Sequence, residues 1–383
     1  MYSISDLLAN TIKNEASDLF VTVGSPPLIK VGGTIVPVKG EDLSARESRE
    51  LCYSIMNESQ RRDFEADKEC NFAIHPKKLG RFRVNVFMQQ GSVGMVLRYI
   101  KSEIPNFEQL RLPEVLKKVS THKVGMVIFV GGTGSGKSTS LAALMDYRNS
   151  TTTGHIITIE DPVEFVHQHK KSVITQREVG IDTESFDSAL VNTLRQAPDV
   201  IQIGEIRTVD TMEKAITFSE TGHLCIATLH ANNAIGAIDR IINFFSEERR
   251  EQLLQDLGSN LYAIVSQRLV PTKDGKGRVV ALEIMIGSPL ISDLIREGRI
   301  EEIYEVIERS GEEWGMQTFD QALFDIYEEG LITFEEAMKN ANSQNNLRLK
   351  IKLEGKDANK KEIGNTLKDV NLVDDDDENG GYL

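Results

Sequence analysis

The strongest chemical signal is a glycine-rich stretch, Gly131–Ser138, with the pattern G-x-x-x-x-G-K-[ST]. An apolar run, Met126–Val130, precedes it, and Leu141–Met145 continues it with helical character. Glycines let backbone N–H groups close around phosphate, and a helix N-terminus favours negative charge. We expect Lys137 to reach the β- and γ-phosphates and the Ser138 hydroxyl to ligate Mg²⁺. The predicted nucleotide-binding residues are Gly131, Gly132, Thr133, Gly134, Ser135, Gly136, Lys137, Ser138 and Thr139.

A second group is acidic and follows the next apolar run, Ile156–Ile159. Pro162 ends that strand, so Glu160, Asp161 and Glu164 crowd one loop. Ligands of α/β sheets bind at the carboxyl ends of the strands, where a carboxylate can deprotonate an attacking water. The alternative is a solvated acidic loop with no role in chemistry.

A third group is the apolar strand Val200–Ile203 followed by an acid, Glu205. This is typical of a Walker-B segment, in which a carboxylate holds the water shell of the metal. Two features depart from that pattern, because Gly204 stands where many such enzymes carry Asp, and Gln202 interrupts the apolar run. The alternative is that Glu205 only forms an ion pair with Arg207.

Two histidines, His223 and His230, bracket the apolar strand Leu224–Ala227. Imidazole at a strand end can contact a γ-phosphate, although an isolated histidine is more often structural. The structural reading is favoured for His223, and the functional one for His230. Metal ligation by these histidines is not expected, because no third ligand lies at a suitable spacing.

The elements that must position these groups fall into several segments, as expected for 383 residues. We predict a small α+β domain over 1–104, a linker over 105–115, an α/β domain over 116–340 and a disordered charged tail over 341–383. The first segment has an N-terminal helix, a hairpin at Gly32-Gly33 and a helical stretch near 44–64. Its last two strands are Phe82–Met88 and Val93–Ile100. The strands predicted for the α/β domain are Met126–Val130, Ile156–Ile159, Val200–Ile203, Leu224–Ala227 and Val279–Ile286.

Charge and composition restrict the class of protein. The net charge is −14, and the seven basic and nine acidic residues after position 340 leave −12 on the preceding segments. A negative body argues against a protein that coats nucleic acid. Three widely spaced cysteines favour a reducing compartment, and no apolar run approaches the roughly 18 residues of a membrane span. The N-terminus lacks the layout of a signal peptide, so we expect a soluble, cytoplasmic protein.

The four groups, in this order, resemble the secretion-motor ATPases of type II/IV secretion and type IV pili. The segments that carry the resemblance are GGTGSGKST, IEDPVEF, GEIR and TGHLCIATLHANNA. Residues 283–287 (EIMIG) and 315–318 (GMQT) resemble the pilus-retraction branch of that family, PilT and PilU. Residues 290–297 read LISDLIRE where PilT carries AIRNLIRE, and the acidic C-terminal extension goes beyond a PilT-like length. Both departures are similar to the accessory, PilU-type members.

The resemblance implies a RecA-like P-loop ATPase domain preceded by a smaller PAS-like α+β domain, in a homohexameric ring that uses ATP and Mg²⁺. It implies that Glu164 is the catalytic glutamate, that Glu205 is the Walker-B glutamate holding Mg²⁺ together with Ser138, and that His230 lies near the γ-phosphate. Arginines that act on a neighbouring subunit's nucleotide would come from Arg81, Arg83, Arg98, Arg195 and Arg207. The implied partners are a PilT-like retraction ATPase and a PilC-like platform protein, which would hold the motor at the cytoplasmic face of the inner membrane, with no nucleic acid and no direct membrane insertion.

Other functions remain open at this stage. A pilus-assembly or type II secretion motor would keep the same chemistry, but such motors commonly carry an extra N-terminal region and a four-cysteine zinc module that this sequence lacks. A DNA-translocating P-loop ATPase is disfavoured by the negative charge. A subunit that binds nucleotide and modulates a partner motor is the third alternative.

Overall fold

The computed structural model describes residues 2–77, 79–100 and 103–356. The chain divides into two compact units, Met1–Leu269 with Val279–Thr318, and Val270–Arg278 with Phe319–Leu383. Among the helices of the described residues, none combines the length and the hydropathy of a membrane-spanning segment.

The first part of the larger unit is an antiparallel sheet with helices. Its strands are β1 (Asp18–Val21), β2 (Leu28–Val31), β3 (Thr34–Pro37), β4 (Glu69–Ile74), β5 (Arg81–Gln89) and β6 (Ser92–Ile100), in the order β3-β2-β1-β6-β5-β4. Its helices are α1 (Ile4–Lys13), α2 (Ala45–Ser54) and α3 (Glu58–Asp67). Side chains alternate along a strand, so β5 buries Phe82, Val84 and Val86 in the core. The same alternation places Arg81 and Arg83 on the opposite face of β5.

Two short helices, α4 (Phe107–Leu110) and α5 (Val115–Thr121), connect this part to a second sheet. That sheet has the strands β7 (Gly125–Val130), β8 (Gly154–Glu160), β9 (Ser172–Glu178), β10 (Val200–Ile203), β11 (Leu224–Leu229), β12 (Leu261–Pro271) and β13 (Arg278–Ile286). The strand order is β13-β12-β7-β11-β10-β8-β9, and the pairs from β12 to β9 are parallel. The helices that follow are α6 (Lys137–Thr151), α7 (Phe186–Thr193), α8 (Val209–Glu220), α9 (Ala234–Ile242), α10 (Arg250–Asn260), α11 (Pro289–Arg296), α12 (Ile303–Arg309) and α13 (Gly311–Trp314).

The parallel pairing brings the candidate segments together. Strands β7, β8, β10 and β11 end at the same edge of the sheet, and each of the four motifs includes the loop after one of them. Strands β7 and β11 are buried along their whole length, which is typical of a sheet covered on both faces. The predicted architecture, a small α+β part followed by an α/β part with a parallel sheet, is confirmed.

The smaller unit contains α14 (Phe319–Glu328), α15 (Phe334–Asn340) and α16 (Gln344–Glu354). The carboxylate of Asp320 accepts hydrogen bonds from the backbone N–H groups of Asn342 (2.7 Å) and Ser343 (2.9 Å), just before α16. Leu347 and Ile351 of α16 are buried. The expected disorder over 341–383 is therefore wrong for α16, because helical spacing of these two apolar residues gives it a face to bury. Residues 357–383, with the acidic run at 374–378, lie outside the described residues.

Two further expectations need correction. The helical stretch near 44–64 is two helices, because Asn57 and Gln60 form a capping box that starts α3. Strands β4, β9 and β12 were not expected.

Candidate functional site

The glycine-rich loop connects β7 to α6, as the sequence predicts. A Cβ atom on Gly131, whose φ is +152°, would lie 2.5 Å from the carbonyl oxygen of Gln267, so only glycine fits. Lys137 Nζ donates hydrogen bonds to the carbonyl oxygens of Gly131 (2.7 Å) and Gly132 (3.0 Å). Burial lowers the pKa of Lys137, while the carboxylates of Glu205 and Glu164 oppose that shift. The ammonium therefore lies where phosphate oxygens would meet both a cation and a helix N-terminus.

The acidic loop after β8 faces this helix. Ser138 Oγ donates a 2.8 Å hydrogen bond to Glu164 Oε1, and the Glu164 side chain is exposed. Glu160 is half-buried instead, and it accepts hydrogen bonds from Thr158 Oγ1 (2.6 Å) and Gln176 Nε2 (3.3 Å). Burial raises the pKa of Glu160, against these hydrogen bonds, which lower it. Glu164 is exposed and is hydrogen-bonded to Ser138 at the start of α6, which is a position from which it can contact a reacting water.

The loops after β10 and β11 supply a third carboxylate and an imidazole. Glu205 Oε1 lies 3.0 Å from His230 Nε2, and Glu205 Oε2 lies 2.6 Å from Arg207 Nη2. Glu205 thus follows the end of β10, and its ion pair with Arg207 is present. A Cβ atom on Gly204 would lie only 3.1 Å from the carbonyl oxygen of Ile159. The close approach of β8 and β10 explains why glycine precedes the acid.

These groups line one cleft of about 330 Å³. Its lining includes the predicted residues Thr133, Gly134, Lys137, Ser138, Glu164, Glu205, Arg207 and His230. His223 is not part of the lining, and its ring Nδ1 lies 3.1 Å from the Phe218 carbonyl oxygen, in agreement with a structural role. The oxygen atoms of Ser138, Glu164 and Glu205 in this lining are hard ligands of the kind that Mg²⁺ prefers.

The five candidate arginines lie in different places. Arg81 Nη2 is 3.0 Å from Glu178 Oε2, and Arg83 Nε is 3.8 Å from Glu178 Oε1, within the same chain. Arg98 pairs with Asp18 at 2.9 Å. Arg195 is exposed, and Arg207 lines the cleft. The structure therefore gathers one of the five at the nucleotide site of its own chain.

Sequence reasoning missed two residues of β9 that contact the acidic loop, Gln176 and Glu178. Both belong to a polar segment, SVITQRE, whose buried and exposed positions do not alternate strictly. The glutamate follows two residues after the glutamine, which places both on the same face of a strand. That spacing is the one signal for them, and it has meaning only once the strand is known.

Comparisons with known proteins place this site in context. Residues 3–346 match the family model "Type II/IV secretion system protein". The chain is 53% identical to the "Type IV pilus ATPase PilU" of Pseudomonas aeruginosa, over 98% of both chains. It is 44% identical to the "Type IV pilus retractation ATPase PilT" of the same organism, over 88% of this chain and 98% of the other. A crystal structure of "the Pilus Retraction Motor PilT and Bound ADP" superposes with a TM-score of 0.85 at 41% identity, covering 91% of this chain and 100% of that one.

Proposed function

This chain belongs to the Type II/IV secretion system protein family, and from that premise we propose that it is an ATPase of type IV pilus retraction, of the accessory PilU type. The resemblance predicted from the four motifs is confirmed by the match over nearly the whole chain. The higher identity to the PilU protein than to the PilT protein supports the accessory type.

One observation carries the assignment to ATP hydrolysis. Lys137, Ser138, Glu164, Glu205 and His230, which come from four separate segments of the sequence, line the same cleft. A phosphate cradle alone would bind nucleotide, but a cleft that also holds a hydroxyl and two carboxylates has the parts for phosphoryl transfer to water.

Each residue of the cleft has a separate role in the proposed hydrolysis. Lys137 binds the β- and γ-phosphate oxygens and neutralises their charge, together with the N-terminus of α6. Ser138 and Glu205 would hold Mg²⁺, which supplies charge neutralisation between the β- and γ-phosphates when bound. Glu164 accepts a proton from water as the water oxygen bonds to the γ-phosphorus and the bond to the departing ADP oxygen breaks. His230 Nε2 lies 3.0 Å from Glu205 Oε1, and this contact would hold the imidazole near the γ-phosphate.

We further propose a homohexameric ring in which the N-terminal part of one subunit packs on the next subunit's ATPase part. Arg207 lines the cleft of its own chain and pairs there with Glu205, so it would act on the nucleotide of its own subunit, and a role between subunits would fall to Arg81, Arg83, Arg98 or Arg195. The proposed partners are a PilT-like ATPase and a PilC-like platform protein at the cytoplasmic face of the inner membrane. A motor that turns a membrane platform converts the different affinities of ATP and ADP for its open and closed states into motion.

The test is pilus retraction in cells whose sole copy of this protein carries Lys137→Ala, followed by live fluorescence imaging. The matched control is Lys118→Ala, an exposed lysine outside the cleft. Both proteins must accumulate to the wild-type level. We expect the purified wild-type chain to hydrolyse ATP and the Lys137→Ala chain not to.

Three outcomes are informative. Retraction at near wild-type frequency supports the accessory role. Loss of retraction with accumulation of surface pili would show an essential motor and overturn that role. A wild-type chain that binds ATP without turnover would instead identify a nucleotide-binding modulator.

A further inference from the structure

Two side chains of strand β9 form hydrogen bonds to the backbone before and after Glu164. Glu178 Oε2 accepts a hydrogen bond from the backbone N–H of Val163 at 3.3 Å, one residue before Glu164. Gln176 donates through Nε2 to the carbonyl oxygen of Phe165 (2.9 Å) and accepts at Oε1 from the backbone N–H of His167 (2.8 Å). The backbone that carries the proposed base is therefore fixed by two side chains of one strand face.

Glu178 also faces the N-terminal sheet. Its side chain is 2% exposed, and its pairing with Arg81 of β5 joins Nη2 and Oε2 at 3.0 Å. Arg83 Nε is 3.8 Å from Glu178 Oε1, too far for a hydrogen bond, and that oxygen is buried with no hydrogen-bond partner among the described residues. A buried carboxylate is costly unless it is paired: burial raises the pKa of Glu178, and Arg81 is the main group that opposes this shift.

We propose that Glu178 is a positioning residue that couples Arg81 of the N-terminal sheet to the backbone of Glu164. The inference rests on the proposed function, since it takes Glu164 as the base that activates water. Arg81 orients the Glu178 carboxylate, and the carboxylate orients Val163 through its N–H. A shift of the N-terminal sheet that moves Arg81 thus changes the position of Glu164 and, with it, the rate of hydrolysis.

This role differs from one in which Arg81 contacts phosphate directly. If Arg81 acts through Glu178, then its removal matters only while the Glu178 carboxylate is present. If Arg81 acts on phosphate, its removal costs the same whether or not Glu178 is charged. A double-mutant cycle separates the two, because coupling shows as non-additivity.

The experiment measures steady-state ATP hydrolysis by the full chain with Arg81→Met, Glu178→Gln and the double variant. Glu178→Gln keeps an acceptor for the Val163 N–H but removes the charge. We expect kcat to fall about tenfold in Arg81→Met and about threefold in Glu178→Gln. A tenfold fall corresponds to the free energy of about one ordinary hydrogen bond, lost from the positioning of Glu164. The double variant should lie within about twofold of Glu178→Gln alone, with KM for ATP nearly unchanged because the phosphate loop is intact. A control, Arg46→Met, removes an exposed arginine paired with Glu50 and should leave kcat unchanged.

A second readout does not depend on catalysis. Hydrogen–deuterium exchange of the peptide 161–168 should be faster in Arg81→Met than in wild type, and unchanged in Arg46→Met. A double variant whose loss of kcat is the product of the two single losses, or an unchanged exchange rate in Arg81→Met, would overturn the coupling. An inactive wild-type chain with faster exchange in Arg81→Met would refute the proposed function while leaving the link between Arg81 and the loop in place.

Discussion

Replacing Glu164 with glutamine removes one basic oxygen from the cleft and changes little else. The glutamine Oε1 can still accept the hydrogen bond that Ser138 Oγ donates at 2.8 Å. The side chain is exposed, so the free energy of unfolding should stay within about 0.5 kcal/mol of wild type. Loss of a general base lowers rates by about 10²–10⁴-fold, which raises the barrier by about 3–5 kcal/mol. We expect a fall in kcat of that size.

The assay is phosphate release under saturating ATP, with binding of a fluorescent nucleotide and thermal melting measured on the same preparations. Binding and melting should match wild type, because Lys137 and the loop glycines are untouched. Glu184→Gln serves as the control, since Glu184 is an exposed carboxylate that does not line the cleft.

The structure favours Glu164 over Glu205 as the base for a specific reason. Both oxygens of Glu205 are already engaged, one by His230 and one by Arg207, whereas Glu164 receives a single side-chain hydrogen bond from Ser138. A fall in kcat of less than about tenfold in Glu164→Gln would refute this reasoning, since general-base losses are larger. So would a much greater loss in Glu205→Gln.

Two other predictions concern stability. Burial lowers the pKa of His167 to about 4 in the folded chain. As the pH falls below about 6.5, the ordinary pKa of histidine, the unfolded chain therefore binds a proton at this side chain before the folded chain does. The free energy of unfolding then falls by about 3 kcal/mol between about pH 6.5 and 4. In urea titrations at pH 7 and pH 4.5, His167→Leu should lose correspondingly less of this free energy than wild type. Equal losses in the two proteins would contradict the assignment. A chain ending at Asn340 lacks the two apolar side chains that α16 buries, and it should be less stable by about 3 kcal/mol than a chain ending at Lys356. Equal urea midpoints for the two truncated chains would show that α16 does not stabilise the fold.

Most residues of the candidate site could be predicted because they belong to short motifs that are continuous in the sequence. The phosphate loop requires glycines, a lysine and a hydroxyl in fixed order, and this requirement is visible without any knowledge of contacts. The strands β7, β8, β10 and β11 contain the predicted runs of four or five mainly apolar residues, a pattern that matches a sheet covered on both faces. Hydrophobic pattern and motif therefore agreed on which edge of the sheet carries the site.

The missed parts depend on contacts between distant segments. Strand β12 follows α10 with no turn residue between Asn260 and Leu261, so periodicity gives no boundary there. Strand β9 is polar because Gln176 and Glu178 serve the neighbouring loop rather than the core. The pairing of Arg81 with Glu178 joins residues 97 positions apart, which no local pattern can reveal.

The glycine before Glu205 limits which side chains this position of the site accepts. The backbone of β8 lies so close to Gly204 that any side chain at this position would press on Ile159 and Glu160. A single substitution to aspartate, which would recreate the more common arrangement of the metal-binding acid, therefore disturbs the strand that leads into the Glu164 loop. A side chain at this position therefore requires the backbone of β8 to move away from Gly204 by a few tenths of an ångström. The choice of residue before Glu205 thus depends on how closely β8 and β10 approach each other at the end of the sheet.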